Sequence, residues 1–102
     1  MAQIDVRTET ETGHGWRYEV AVTRECVGPR ERGFGFAHLR VLRLGRRGPA
    51  LQARTDGCEI ALGDRDAIGG LLRGLIRAVE TRGRNELALR ERAHALAFAQ
   101  RV

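Results

Sequence analysis

Apolar and polar residues alternate through most of the first sixty positions. Ile4 and Val6 are interleaved with Gln3, Asp5 and Arg7; beyond a polar turn containing Gly13 and Gly15, Trp16, Tyr18, Val20 and Val22 are interleaved with Arg17, Glu19 and Thr23. A period of two puts successive side chains on opposite faces, so each stretch predicts a strand with one buried and one wet side. Gly28-Pro29, within 27–33, marks a hairpin loop, and a third strand is predicted from 34 to about 44. Gly45-Arg46-Arg47-Gly48-Pro49 is a basic turn. Leu51, Ala53 and Thr55 then alternate, Asp56-Gly57 signals a tight hairpin, and Cys58, Ile60 and Leu62 follow in phase.

The period changes after residue 62. Ile68, Leu71, Leu72, Leu75, Ile76 and Val79 fall on one face of a helix predicted over 65–81, with Asp64 as N-cap and Gly83 as the stop. Asn85 is read as the cap of a last helix over 86–100, with Leu87, Leu89, Ala93, Leu96, Ala97 and Phe98 as its apolar positions. The pattern predicts an α+β fold: four to five antiparallel strands within residues 2–62, followed by two C-terminal helices. One helix covers one sheet face. The other face and the apolar side of the last helix call for a second copy, so a homodimer is expected.

At 102 residues the chain is expected to form a single domain, 1–102. No apolar run approaches the roughly 20 residues of a membrane span, so no membrane partner is expected. The first residues lack the layout of an export signal, which makes a cytoplasmic location the expectation. Cys26 and Cys58 are then reduced thiols, and Cys58, in phase with Ile60, is expected to act as a small buried hydrophobe.

All 18 basic residues are arginine. A GC-rich coding composition accounts for arginine in place of lysine, so placement says more than number. Residues 28–54 hold Arg30, Arg32, Arg40, Arg43, Arg46, Arg47 and Arg54 against the single acid Glu31, a charge of +6 (7 − 1) within a chain of +5. Such a segment suits an anionic partner. It is also what a solvated hairpin with arginines on its wet face would carry.

Within that segment, Arg32-Gly33-Phe34-Gly35-Phe36-Ala37-His38-Leu39 resembles the octapeptide signature of RNA recognition motifs. Its first five positions agree; Ala37 replaces a larger aliphatic residue and Leu39 the final aromatic. The resemblance implies that the rings of Phe34 and Phe36 stack on bases. It is confined to the octapeptide, because residues 1–31 contain no helical period where that family has a helix. Independently of any family, Phe34, Phe36, His38 and Arg40 share one side of the strand and Gly35, Ala37, Leu39 and Val41 the other. Rings that stack on any base, beside arginines that meet phosphates, are the composition of a single-strand-binding surface. The alternative makes both rings core or dimer-interface residues.

Residues 14–80, with the strand Asp56-Gly57-Cys58-Glu59-Ile60-Ala61-Leu62 leading to the 68–79 helix, resemble the single-stranded-DNA-binding domain of the positive-cofactor-four type. Gly15-Trp16-Arg17 is similar to a local feature of some bacterial members. The resemblance implies a dimer whose curved sheets hold single strands. It departs from that family in having no lysines and a further helix after Gly83.

Nothing in the spacing suggests catalysis. There is no framed pair of carboxylates, no phosphate loop, no metal-ligand spacing among Cys26, Cys58, His14, His38 and His94, and no cofactor fingerprint. The expectation is a non-enzyme without metal or cofactor that binds nucleic acid, DNA or RNA, through Arg30, Arg32, Phe34, Phe36, His38, Arg40, Arg43, Arg46 and Arg47. The competing expectation is an interaction or regulatory module whose basic segment meets an acidic protein.

Overall fold

A computed structural model describes the backbone of residues 2–26, 32–61 and 64–102, and the side chains of 7–24, 33–61 and 64–102. Among these, five strands form one antiparallel sheet followed by two helices: β1 (Ala2–Gly13), β2 (Trp16–Cys26), β3 (Arg32–Arg43), β4 (Leu51–Arg54), β5 (Cys58–Ala61), α1 (Arg65–Glu86) and α2 (Leu89–Arg101). The expected α+β architecture is the observed one.

β1 and β2 are joined by His14-Gly15, with φ of 53° and 81°. Two successive left-handed residues form the turn whose twist suits a two-residue hairpin, which is why a glycine stands at the second position. The ladder runs from Gly13 opposite Trp16 to Ala2 opposite Cys26, with a register shift between Asp5 and Arg7. β3 lies next, with Tyr18 opposite Val41 and Val22 opposite Ala37.

β4 and β5 both pair with β3, β4 opposite residues 38–41 and β5 opposite 32–35. They are therefore successive segments of one edge and not the tight hairpin expected at Asp56-Gly57. The reason is local. The Thr55 backbone N–H donates to the Ala37 carbonyl at 2.9 Å, and the Thr55 hydroxyl accepts from the Ala37 N–H at 2.9 Å, so the ladder continues past β4 and the chain has no room to reverse.

The core lies between one sheet face and the helices. Tyr18, Val20 and Val22 of β2, Ala37, Leu39 and Val41 of β3, Leu51 and Ala53 of β4, and Ile60 of β5 are buried against Leu71, Leu75 and Val79 of α1 and Ala95, Phe98 and Val102 beyond it. Arg24 shares this face, and is buried with its Nε and Nη1 lacking hydrogen-bond partners. Asp64 caps α1 as expected, accepting from the Ala67 N–H at 3.0 Å. The helix buries the row Leu71, Leu75, Val79, Gly83, leaving Ile68, Leu72 and Ile76 half-buried on its flank. Leu62 lies outside the described residues.

Four further expectations fail for packing reasons. Gly83 does not stop α1, which continues to Glu86; it is a point of close approach, where a Cβ would stand 2.9 Å from Arg92 Cγ of α2. Asn85 consequently belongs to the last turn of α1, and α2 begins after Ala88 without a side-chain cap. The inward face of α2 also differs from the expected one, because Phe98 packs on Tyr18: Ala95, Phe98 and Ala99 are buried, Ala93 and Ala97 are exposed, and Leu89 is 73% exposed. Finally, Cys58 is exposed. It stands at the start of an edge strand, and α1 packs chiefly over β4 and β3.

Candidate nucleic-acid interface

The face of the sheet turned away from both helices is built in cross-strand rows. Thr12, Arg17 and Leu42 form the first, Thr10, Glu19, Arg40 and Gln52 the second, and Thr8, Ala21, His38 and Arg54 the third; Thr23 then stands opposite Phe36, and Phe34 opposite Glu59. Alternation along β3 puts Phe34, Phe36, His38 and Arg40 on this open side while Gly33, Gly35, Ala37, Leu39 and Val41 are buried beneath. The rings are not core residues. Phe34 is 53% exposed and Phe36 half-buried.

The small residues of the motif serve the buried side. A Cβ at Gly35 would stand 2.6 Å from Ile60 Cδ1, so glycine admits the Ile60 side chain against β3. The motif's aromatic and glycine positions thus divide between the two faces of one strand.

The open-side residues touch one another. The Arg54 guanidinium carbon lies 3.9 Å from the Phe36 ring centroid, a cation–π contact, and the Phe36 and His38 rings are 6.1 Å apart at 33°. His38, Arg40, Gln52 and Arg54, with the backbone of Leu39 and Ala53 between them, line a shallow cleft of about 220 Å³. Charge on this face is partly neutralised: Glu19 pairs with Arg17 at 3.0 Å and with Arg40 at 3.5 Å. Thr23, though on this side, is buried with its hydroxyl unpartnered.

The expected residues are strung along β3 and do not form one cluster. Phe34 and Arg43 are nine residues apart, about 30 Å along an extended strand. Arg43, Arg46 and Arg47 are exposed at the far end, where Arg43 lies over the Trp16 ring at 5.7 Å. Arg30 lies outside the described residues, and of Arg32 the backbone alone is described.

Three arginines outside the expected set extend the basic surface. Arg54 joins through its pairing with His38, and Arg77 and Arg82 of α1 stand beside it at the β4 edge, where the three help to line a second cleft. Arg54 lies within the basic segment of the sequence, and its pairing opposite His38 puts it on the open face. Nothing in the sequence brings Arg77 and Arg82 to it, because that neighbourhood depends on how α1 crosses the sheet.

His14 and His94, distant in sequence, have ring centroids 6.0 Å apart. Among the described residues no group of three or more His, Cys, Asp or Glu is arranged to hold a metal, and no helix is long and apolar enough to cross a membrane. Compared with family models, curated proteins and solved structures, the chain has no significant match in any of the three.

Proposed function

We propose that the chain is a non-catalytic binding protein for single-stranded nucleic acid, held on the open face of the sheet. The observation that carries this reading is the outward pair Phe34 and Phe36, with Arg54 against Phe36 and Arg40 two positions beyond His38. Exposed rings lose apolar contact with water when a base stacks on them, and the neighbouring guanidiniums meet the phosphates that accompany each base. A single strand suits the face better than a duplex, whose bases are already stacked. The reading agrees with what both sequence resemblances imply.

The protein is proposed to act in the cytoplasm, where the free, exposed Cys58 thiol would remain reduced. A homodimer remains part of the proposal, on a different surface from the one expected. Phe98 is already packed on Tyr18, with rings 5.9 Å apart, so α2 needs no second copy. Among the described residues, nothing pairs with the outer edge of β1 over a strand of 12 residues, and joining two such edges would extend the open face across both copies.

Fluorescence anisotropy with labelled oligonucleotides of about 20 residues tests the reading. Single strands should bind with affinity falling steeply in salt, and duplexes of the same sequence should bind more weakly. No binding at low salt, together with recovery of one stoichiometric acidic protein, would overturn it in favour of an interaction module.

A further inference from the structure

The cleft at the outer edge of β4 brings three arginines together. It has a volume of about 380 Å³ and is lined by Arg54, Arg77, Ala78, Thr81 and Arg82. Residues 77, 78, 81 and 82 are one stripe of α1, since positions four apart lie over one another. Small side chains at Ala78 and Thr81 leave the space open between two arginines, and the Thr81 hydroxyl turns inward to donate to the Arg77 carbonyl at 3.0 Å. Arg82 is fixed against the strand, its Nη1 donating to the Gln52 carbonyl at 2.6 Å. Arg54 is fixed on the other side by its stack on Phe36.

Carboxylates already neutralise part of the charged surface. Arg7 is paired with Glu9, Arg17 and Arg40 with Glu19, and Arg101 with Glu11. Among the described residues, no carboxylate lies within ion-pair distance of Arg54, Arg77 or Arg82. Three like charges lining one concavity repel one another and favour an anion between them. Guanidinium groups suit the oxygens of a phosphate, which they grip two at a time.

We propose that this cleft is a phosphate subsite, taking a phosphodiester group of a strand that lies on Phe34 and Phe36 and then crosses the β4 edge. Arg54 connects the two regions, because it both stacks on Phe36 and lines the cleft. This inference rests on the nucleic-acid reading and gives it a direction: the strand leaves the sheet toward α1, not along β3 toward Arg46 and Arg47.

The test compares wild-type protein with Arg77→Ala and with Arg77→Ala/Arg82→Gln, using a trinucleotide and a single strand of about 12 residues. Each lost phosphate contact lowers the slope of log affinity against log salt by about 0.7 for single strands. For the longer strand, the slope should therefore fall by about 0.7 in the double variant, which releases the one phosphate, and by up to that amount in the single variant, while the trinucleotide on the rings is unaffected. If the double variant fails to fold, Arg77→Ala alone decides, because it leaves the Arg82–Gln52 bond in place. An unchanged slope with the longer strand overturns the subsite and leaves the open-face reading standing. Absence of any oligonucleotide binding by wild-type protein overturns both. A shift of the Arg77 and Arg82 Nε–H resonances with pyrophosphate would then assign the cleft to free phosphates.

Discussion

Gly57 lies directly against the ring of Phe34: a Cβ built on it would come within 2.0 Å of Phe34 Cε1 and 2.5 Å of Cζ. The glycine between β4 and β5 therefore sets where the outermost ring of the open face rests. Gly57→Ala should preserve the fold and turn the Phe34 ring out of its place. Single-strand affinity should then drop by an amount similar to Phe34→Ala, about 1–3 kcal/mol for one stacked base, with no change in salt slope. Anisotropy titrations at two salt concentrations check both parts.

Glu19 is the acid that occupies Arg17 and Arg40. Glu19→Gln frees both guanidiniums while keeping the side-chain shape, so single-strand affinity at low salt should rise and the salt slope should steepen. A weaker-binding Glu19→Gln protein would show that the two arginines need the carboxylate to hold their positions.

Leu75 is fully buried in the row that α1 turns to the sheet. Leu75→Ala should cost about 2–5 kcal/mol of stability. Leu89, 73% exposed, should cost within about 0.5 kcal/mol when changed to alanine. Urea unfolding of the two variants gives the comparison directly.

The Tyr18 hydroxyl donates to Glu91 Oε2 at 3.1 Å, tying β2 to α2. Burial, then this hydrogen bond, then the charges of Glu91 and Glu11 push the phenol well above its ordinary value of 10.0. A raised value in the folded chain means that the neutral form is preferentially stabilised. That contribution is complete below about pH 10 and is lost as pH rises through the folded value. Thermal unfolding of the wild type should therefore fall off in alkali more steeply than that of Tyr18→Phe, which has no proton there to lose.

Much of the sheet was legible because alternation is a local property. The division of β3 into Phe34, Phe36, His38 and Arg40 against Gly35, Ala37, Leu39 and Val41 follows from a period of two, and Asp64 was readable as a cap from its place before a helical period. What was not legible depended on contacts between distant residues. Asp56-Gly57 resembles a hairpin turn until Thr55 is seen paired with Ala37. Gly83 reads as a helix stop until Arg92 is found packed on it. Glu19 looked like an ordinary wet-face residue, and its neutralising effect required the register that sets it opposite Arg40. The gathering of Arg77 and Arg82 at Arg54 required the docking of α1.

β1 adds a long ladder to the sheet, yet from Arg7 to Thr12 its side chains are exposed and none enters the core. Its attachment over that stretch is the backbone ladder to β2 and the ion pair of Glu11 with Arg101 of α2. Amide hydrogen exchange should therefore be graded across the strands, slowest in β3 and fastest over residues 7–12 of β1, where no side chain of the strand is buried. Over residues 7–12 the sheet thus ends in a margin held by its ladder, with no anchor in the core.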